Sequence, residues 1–230
     1  MPEVKSSRSG LPRQVALPDS YYSFFSFPLS KTGYSGVVTY TRTDTVIPLK
    51  AEEGLTGVLQ PRPPLSEEER ISPPGSYPPE LADPDAEELN YKDLDSEGRA
   101  VVVDFGLFVL INVYCPNDGN SSKEREDFKM NYHRLLEARV DGLIQEGRQV
   151  MVVGDLNACV AVEDHCEGPF MVARGLAEGL QGEEGFWGKE HRRWIRDWVV
   201  KDDGSGCMID IVRKLWPDRK GMYTCAYFLT

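Results

Sequence analysis

Gln149–Asn157 reads QVMVVGDLN. The apolar run Val150–Val153 halts at Gly154, and Asp155 and Asn157 follow two positions apart. Strand side chains alternate with period two, so a buried strand ending in Gly-Asp-x-Asn delivers a carboxylate and an amide to one face. That pair suits a hard cation, or a phosphate held beside one. Gly, Asp and Asn are also ordinary turn residues. The four residues alone therefore leave open a strand that ends in a polar turn.

The neighbouring segments tip the balance. Ser121–Gly147 has the pattern of a helix. Ser121 and Glu124 have capping-box spacing. Phe128, Tyr132, Leu135, Leu136, Val140, Leu143 and Ile144 recur every three or four residues, and Gly147 stands where a C-terminal cap belongs. Before it, Ala100–Phe105 and Leu107–Val113 are β-branched runs broken at Gly106, the pattern of a hairpin in a buried sheet. Tyr21–Phe27 and Val37–Thr41 predict a second hairpin around KTGYSG (31–36). Residues 57–90 carry PRPP, SPPG, YPPE and ADPD, with acids between them. They are expected to form a poorly ordered surface insertion. Residues 163–190 read as a glycine-rich acidic loop, and His191–Val200 as a short helix. Strands that leave a sheet through a helix and return predict a layered α/β domain, one domain over residues 1–230.

Composition agrees. The chain has 230 residues, 40% hydrophobic and 27% charged, enough for one substantial core. No run approaches the roughly 20 apolar residues that span a bilayer, so no membrane partner is expected. Five cysteines lack CxxC spacing, so neither a zinc site nor a disulfide framework is indicated. A net charge of −11 argues against a nonspecific nucleic-acid binder. It still allows an enzyme whose metal ions and local basic strip meet the phosphates.

Four segments carry the chemistry together: GYSG (33–36), DSEGR (95–99), INVYCPN (111–117) and GDLN (154–157). Their order resembles the endonuclease/exonuclease/phosphatase superfamily, specifically the exonuclease III-like apurinic/apyrimidinic endonucleases. The tail MIDIVRKLWPDRKGMYTC (208–225) is similar to the type 2 branch, and RRWIRDW (192–198) to its fungal members. The resemblance implies an α/β fold, here part of a four-layer α/β sandwich of the DNase I-like type.

The resemblance also implies roles. Asp155 matches the aspartate that orients or deprotonates the attacking water near the metal. Asn157 matches the asparagine beside it, which helps bind phosphate and the metal-linked water. Tyr114 matches the tyrosine that contacts the scissile phosphate, and Asn117 an asparagine near it. Tyr34 and Arg99 match residues of the DNA-facing rim. Carboxylate and amide oxygens favour Mg²⁺ or Mn²⁺. The implied partner is DNA with abasic sites or blocked 3′ ends, the implied place the nucleus and the implied state a monomer.

Three basic or histidine features are weaker. Asp164-His165 could mimic an acid–histidine pair, yet it comes too early for the family's C-terminal Asp-His, so a structural or DNA-adjacent role is expected. His133 is expected to be solvent-facing or packed. HRRWIR (191–196) could meet a phosphate backbone, though an ordinary amphipathic helix is the simpler reading.

The pattern departs from the family at both ends. The W-N-x-N-G and L-Q-E-T-K segments, with their Asn and Glu, do not occur, nor do R-L-D-Y and the final S-D-H. The domain is accordingly expected to be incomplete at both termini and to cleave DNA poorly or not at all. One alternative is a non-catalytic remnant that binds DNA or a partner. Another is a phosphoesterase with a non-DNA substrate, such as a phosphoinositide, though YCPN and DSEGR favour DNA.

Overall fold

The computed structural model describes residues 4–29, 33–78, 91–117, 122–161, 164–165, 173–174, 185, 188–201 and 204–219. They fall into two compact units, one within Pro2–Leu156 and one from Asn157 onward.

Two sheets build the first unit. The aromatic and β-branched strands β1 (Tyr21–Ser26) and β2 (Val37–Arg42) pair antiparallel, Ser26 against Val37. The main sheet has the order β3-β4-β5-β6, with β3 Lys50–Glu53, β4 Ala100–Asp104, β5 Val109–Tyr114 and β6 Val150–Asp155. β3, β4 and β5 are antiparallel, whereas β5 and β6 are parallel. Parallel neighbours need a crossover. Of the helices α1 (Arg13–Ala16), α2 (Tyr91–Ser96) and α3 (Lys123–Gln145), α3 supplies it.

The ends of α3 are built from sequence. Its N-cap is Ser122, whose Oγ accepts from the Arg125 N–H at 3.3 Å. This is one residue later than the expected capping box, and Ser121 lies outside the described residues. At the other end, Gly147 takes φ +79°. Its N–H donates to Ile144 O at 2.8 Å, and Arg148 N–H donates to Leu143 O at 2.9 Å, the paired bonds that close a helix through a left-handed residue.

The main sheet has two distinct faces. Asn112 Nδ2 donates to Val38 O at 2.9 Å and Thr39 Oγ1 at 3.1 Å, so its face meets the hairpin. Val37, Val101 and Val103 form the core there, with Phe24, Ala51, Phe105 and Tyr114 packed around them. On the other face Val102, Ile111 and Val113 are fully buried, as are Leu135, Leu136, Val140 and Leu143 of the outer helix α3. Each such side chain contributes about 1.5–3 kcal/mol by leaving water, an upper bound because the unfolded chain already hides some surface.

Three features depart from the sequence pattern. The run Val150–Val153 was expected to be wholly buried, but Met151 is 48% and Val153 38% exposed. β6 is the outermost described strand of its sheet, and the hairpin packs mainly over β3, β4 and β5. Lys50–Glu53 was not recognised as a strand, because its polar residues lack an apolar alternation.

The third concerns residues 57–90. Through Pro78 this stretch is pinned to the core. The Tyr77 ring lies between the guanidinium groups of Arg70 and Arg139, each 4.3 Å from its centroid. Its hydroxyl donates to Glu52 Oε1 at 2.6 Å, and the same oxygen accepts the Ile71 N–H at 2.9 Å. Arg139 Nη1 donates to Ser72 Oγ at 2.9 Å. Local composition undervalued the segment because its anchors, Glu52 and Arg139, come from β3 and the middle of α3. Residues 79–90 lie outside the described residues.

In the second unit, α4 (Glu190–Trp198) buries His191, Arg192, Trp194, Ile195 and Trp198. Trp194 and Trp198 stack at 5.0 Å. Arg192 is thus packed away, and the helix is amphipathic rather than a basic strip. The short α5 (Ile211–Leu215) follows, capped by Asp210, whose Oδ1 accepts from the Arg213 N–H at 2.9 Å. No helix among the described residues is long and apolar enough to cross a membrane.

Candidate active site

The register of β5 and β6 sets Tyr114 opposite Asp155. Aligned residues of parallel strands leave the sheet on the same side, so the phenol and the carboxylate share the face of Asn112 and Val153. Gly154 makes this possible. It has φ +112°, and a Cβ there would lie 2.0 Å from the Val113 carbonyl oxygen. Glycine is required by that close approach and that dihedral together. The strand therefore runs through Gly154 to Asp155 instead of stopping before it. One step on, Cys115 N–H donates to Asp155 O at 2.8 Å, which keeps the two strands in step. His133 is fully buried, with Nε2 3.0 Å from Leu156 O, and fixes the exit from β6 to α3. Asn157 begins the second unit at φ +48°, a conformation asparagine tolerates better than most residues.

Beside Tyr114 lies a rim of arginine and tyrosine. Arg99 is 2% exposed. Its guanidinium donates to Tyr114 O at 2.8 Å, to Tyr34 Oη at 2.8 Å and to Glu97 Oε2 at 2.6 Å. The same group lies 5.4 Å from the Tyr34 ring and 5.0 Å from the Tyr114 ring, within cation–π range of both. Arg125, from the first turn of α3, donates to Glu97 Oε1 at 2.8 Å, to Tyr34 Oη at 2.8 Å and to Asn117 O at 3.2 Å. Burial opposes the charge on Arg99, but Glu97 outweighs it and the guanidinium is held more basic than usual. Burial also opposes ionisation of Glu97, yet hydrogen bonding to Arg125 and the charge of Arg99 hold it below the usual carboxylate range. Cys115 is fully buried, and burial pushes its thiol far up.

Tyr34, Arg99, Tyr114 and Asn117 thus come together, Asn117 through its backbone carbonyl, and Asp155 joins them through the strand register. Asp164 does not act as the carboxylate of an acid–histidine pair. It accepts from Ala161 N at 3.1 Å and forms an ion pair with Arg213. Glu97 and Arg125 escaped sequence reading. A signal was present: a cation in the first turn faces the positive end of the helix dipole, and such a local conflict marks a residue held for another purpose.

Among the described residues no three His, Cys, Asp or Glu side chains converge as a metal cluster. Asp155 offers one hard carboxylate. That fits a cation that keeps most of its water, as Mg²⁺ does. It does not suit a thiophilic metal, because the neighbouring Cys115 thiol is buried and protonated.

A main sheet flanked by a hairpin sheet and an outer helix, with its polar groups at the ends of β5 and β6, is the α/β fold of the DNase I-like endonuclease/exonuclease/phosphatase class. The chain matches the catalytic domain of Xenopus laevis APE2 with a TM-score of 0.72 and 27% identity, over 94% of this chain and 62% of that one. An AP endonuclease from Archaeoglobus fulgidus matches at 0.55 and 15% identity, over 95% and 63%, a likeness of fold alone. DNA-(apurinic or apyrimidinic site) endonuclease 2 of Schizosaccharomyces pombe is 35% identical over 230 residues, 97% of this chain and 40% of the relative. The human protein of that name is 32% identical over 238 residues, 97% of this chain and 41% of the relative. The chain spans about 40% of the length of these curated relatives. No family model matches the sequence. The chain is homologous to the exonuclease III-like apurinic/apyrimidinic endonucleases of the type 2 branch.

Proposed function

We propose that this chain carries the central part of a DNA-repair phosphodiesterase site, which cleaves the backbone at abasic sites and processes blocked 3′ ends. The proposal extends to work in the nucleus as a monomer. The observation that carries it is the shared face of Tyr114 and Asp155, with the Arg99–Arg125–Tyr34 rim beside it. Hydrolysis of a phosphodiester needs an in-line water and donors for the charge that grows on oxygen. Asp155 orients that water and takes up its proton. The Tyr114 phenol donates to a phosphate oxygen. Arg99 and Arg125 place positive charge along the strand backbone. Mg²⁺ or Mn²⁺, held through Asp155, would polarise the phosphate as a Lewis acid.

The test is a chimera in which residues 1–230 replace the matching stretch of the fission-yeast relative. Mg²⁺-dependent cleavage of an abasic-site duplex is expected. Asp155→Asn should lower it on the order of 10²-fold or more while the fold survives, because the general base is lost and the shape kept. Full activity of that variant would refute the site. Binding without cleavage by the unmutated chimera would favour a DNA-binding role instead.

A further inference from the structure

We infer that Glu97 is a positioning residue, the shared counter-ion that aims the Tyr34 and Tyr114 side chains at a DNA phosphate. The inference rests on the phosphodiesterase reading of the site. Two guanidinium groups meet at this carboxylate, Arg99 from the same turn and Arg125 from the start of α3. Oε2 accepts from Arg99 Nε at 2.6 Å and from Arg125 Nη2 at 3.0 Å, and Oε1 accepts from Arg125 Nη1 at 2.8 Å. Arg125 holds its Nη1/Nη2 fork on Glu97 and Arg99 its Nε–H, and each guanidinium also donates to the same atom, Tyr34 Oη, at 2.8 Å. A phenol oxygen has two lone pairs and one proton. With two N–H groups donating to it, the Tyr34 phenol is held in place by both cations. The remaining N–H groups reach the carbonyls of Tyr114 and Asn117. One carboxylate thereby sets the turn before β2, the end of β5 and the start of α3 relative to one another.

Bystander and positioning roles predict opposite signs. Glu97 is a negative charge on a surface meant for a polyanion. If it only sat there, Glu97→Gln would tighten DNA binding by removing repulsion. A positioning residue predicts looser binding, because both guanidinium groups lose their anchor and Tyr34 loses its aim.

The experiment measures fluorescence anisotropy of a labelled duplex with a tetrahydrofuran abasic analogue, titrated with the 230-residue chain and Mg²⁺. Wild type should bind it, and Glu97→Gln should bind on the order of tenfold more weakly, the range for lost charge-assisted bonds. Tyr34→Phe should also weaken binding, and the double variant should be no weaker than the worse single one. Arg125→Lys keeps the charge but loses the fork, and should match Glu97→Gln. It also serves if Glu97→Gln melts early. Equal or tighter binding by Glu97→Gln, wild-type binding by Arg125→Lys, or losses that simply add would overturn the inference. No binding by wild type would overturn the phosphodiesterase reading, and this inference with it.

Discussion

Thr56 is tied to Asp95 twice, its N–H at 3.0 Å and its hydroxyl at 2.5 Å from the same carboxylate oxygen. The other oxygen accepts the Leu55 N–H at 2.8 Å. All of these groups are buried, and Asp95 is 1% exposed. Asp95→Ala would strand two buried backbone donors. The expected loss is about 3 kcal/mol or more, since each orphaned donor costs roughly 1–3 kcal/mol. Asp95→Asn, which keeps one acceptor, should lose less. Urea unfolding of both variants checks the order, and a near-neutral Asp95→Ala would contradict it.

Gly154 sets up the next prediction. A methyl group there meets the Val113 carbonyl at 2.0 Å. Gly154→Ala must therefore part β6 from β5 where Tyr114 faces Asp155. A loss of several kcal/mol is expected, together with faster amide exchange at Cys115, whose N–H bonds Asp155 O. Unchanged protection at Cys115 would show that the strands do not depend on glycine.

Tyr132 runs the other way. It is fully buried, and its hydroxyl finds no hydrogen-bond partner among the described residues. Burial pushes the phenol well above its usual range. Tyr132→Phe removes a desolvated polar group and should leave stability unchanged or raise it by up to about 1 kcal/mol. A melting temperature several degrees lower would contradict this.

Glu97 gives a pH prediction. Its folded-state pKa is lowered, so its stabilisation is present above the unfolded value of about 4.3 and fades as pH falls through the folded value. Wild type should lose stability on acidification through this range more steeply than Glu97→Gln. Urea midpoints followed from neutral pH to about pH 3 measure the two slopes. Parallel curves would mean that Glu97 brings no acid-sensitive stability.

Much of this was legible in residue pattern. β4 and β5 are unbroken apolar, β-branched runs because both their faces are covered, and α3 follows the helical repeat because one face is. The strand leading into Asp155 was legible from its apolar run Val150–Val153. What the pattern hid came from distant partners. Lys50–Glu53 reads as surface until Glu52 meets Tyr77 and Arg139. Arg125 reads as a solvated helix start until Glu97 and Tyr34 reach it. Gly154 reads as a turn, although it serves a close approach between strands. Such pairings depend on three-dimensional neighbours that no local window contains.

Cys115 follows Tyr114 directly, and its backbone is bonded to Asp155. Peroxides and electrophiles attack the thiolate, which this buried sulfur scarcely forms. Tyr114 is thus held beside a sulfur that oxidants pass over, so the end of β5 is guarded from covalent change by its own packing.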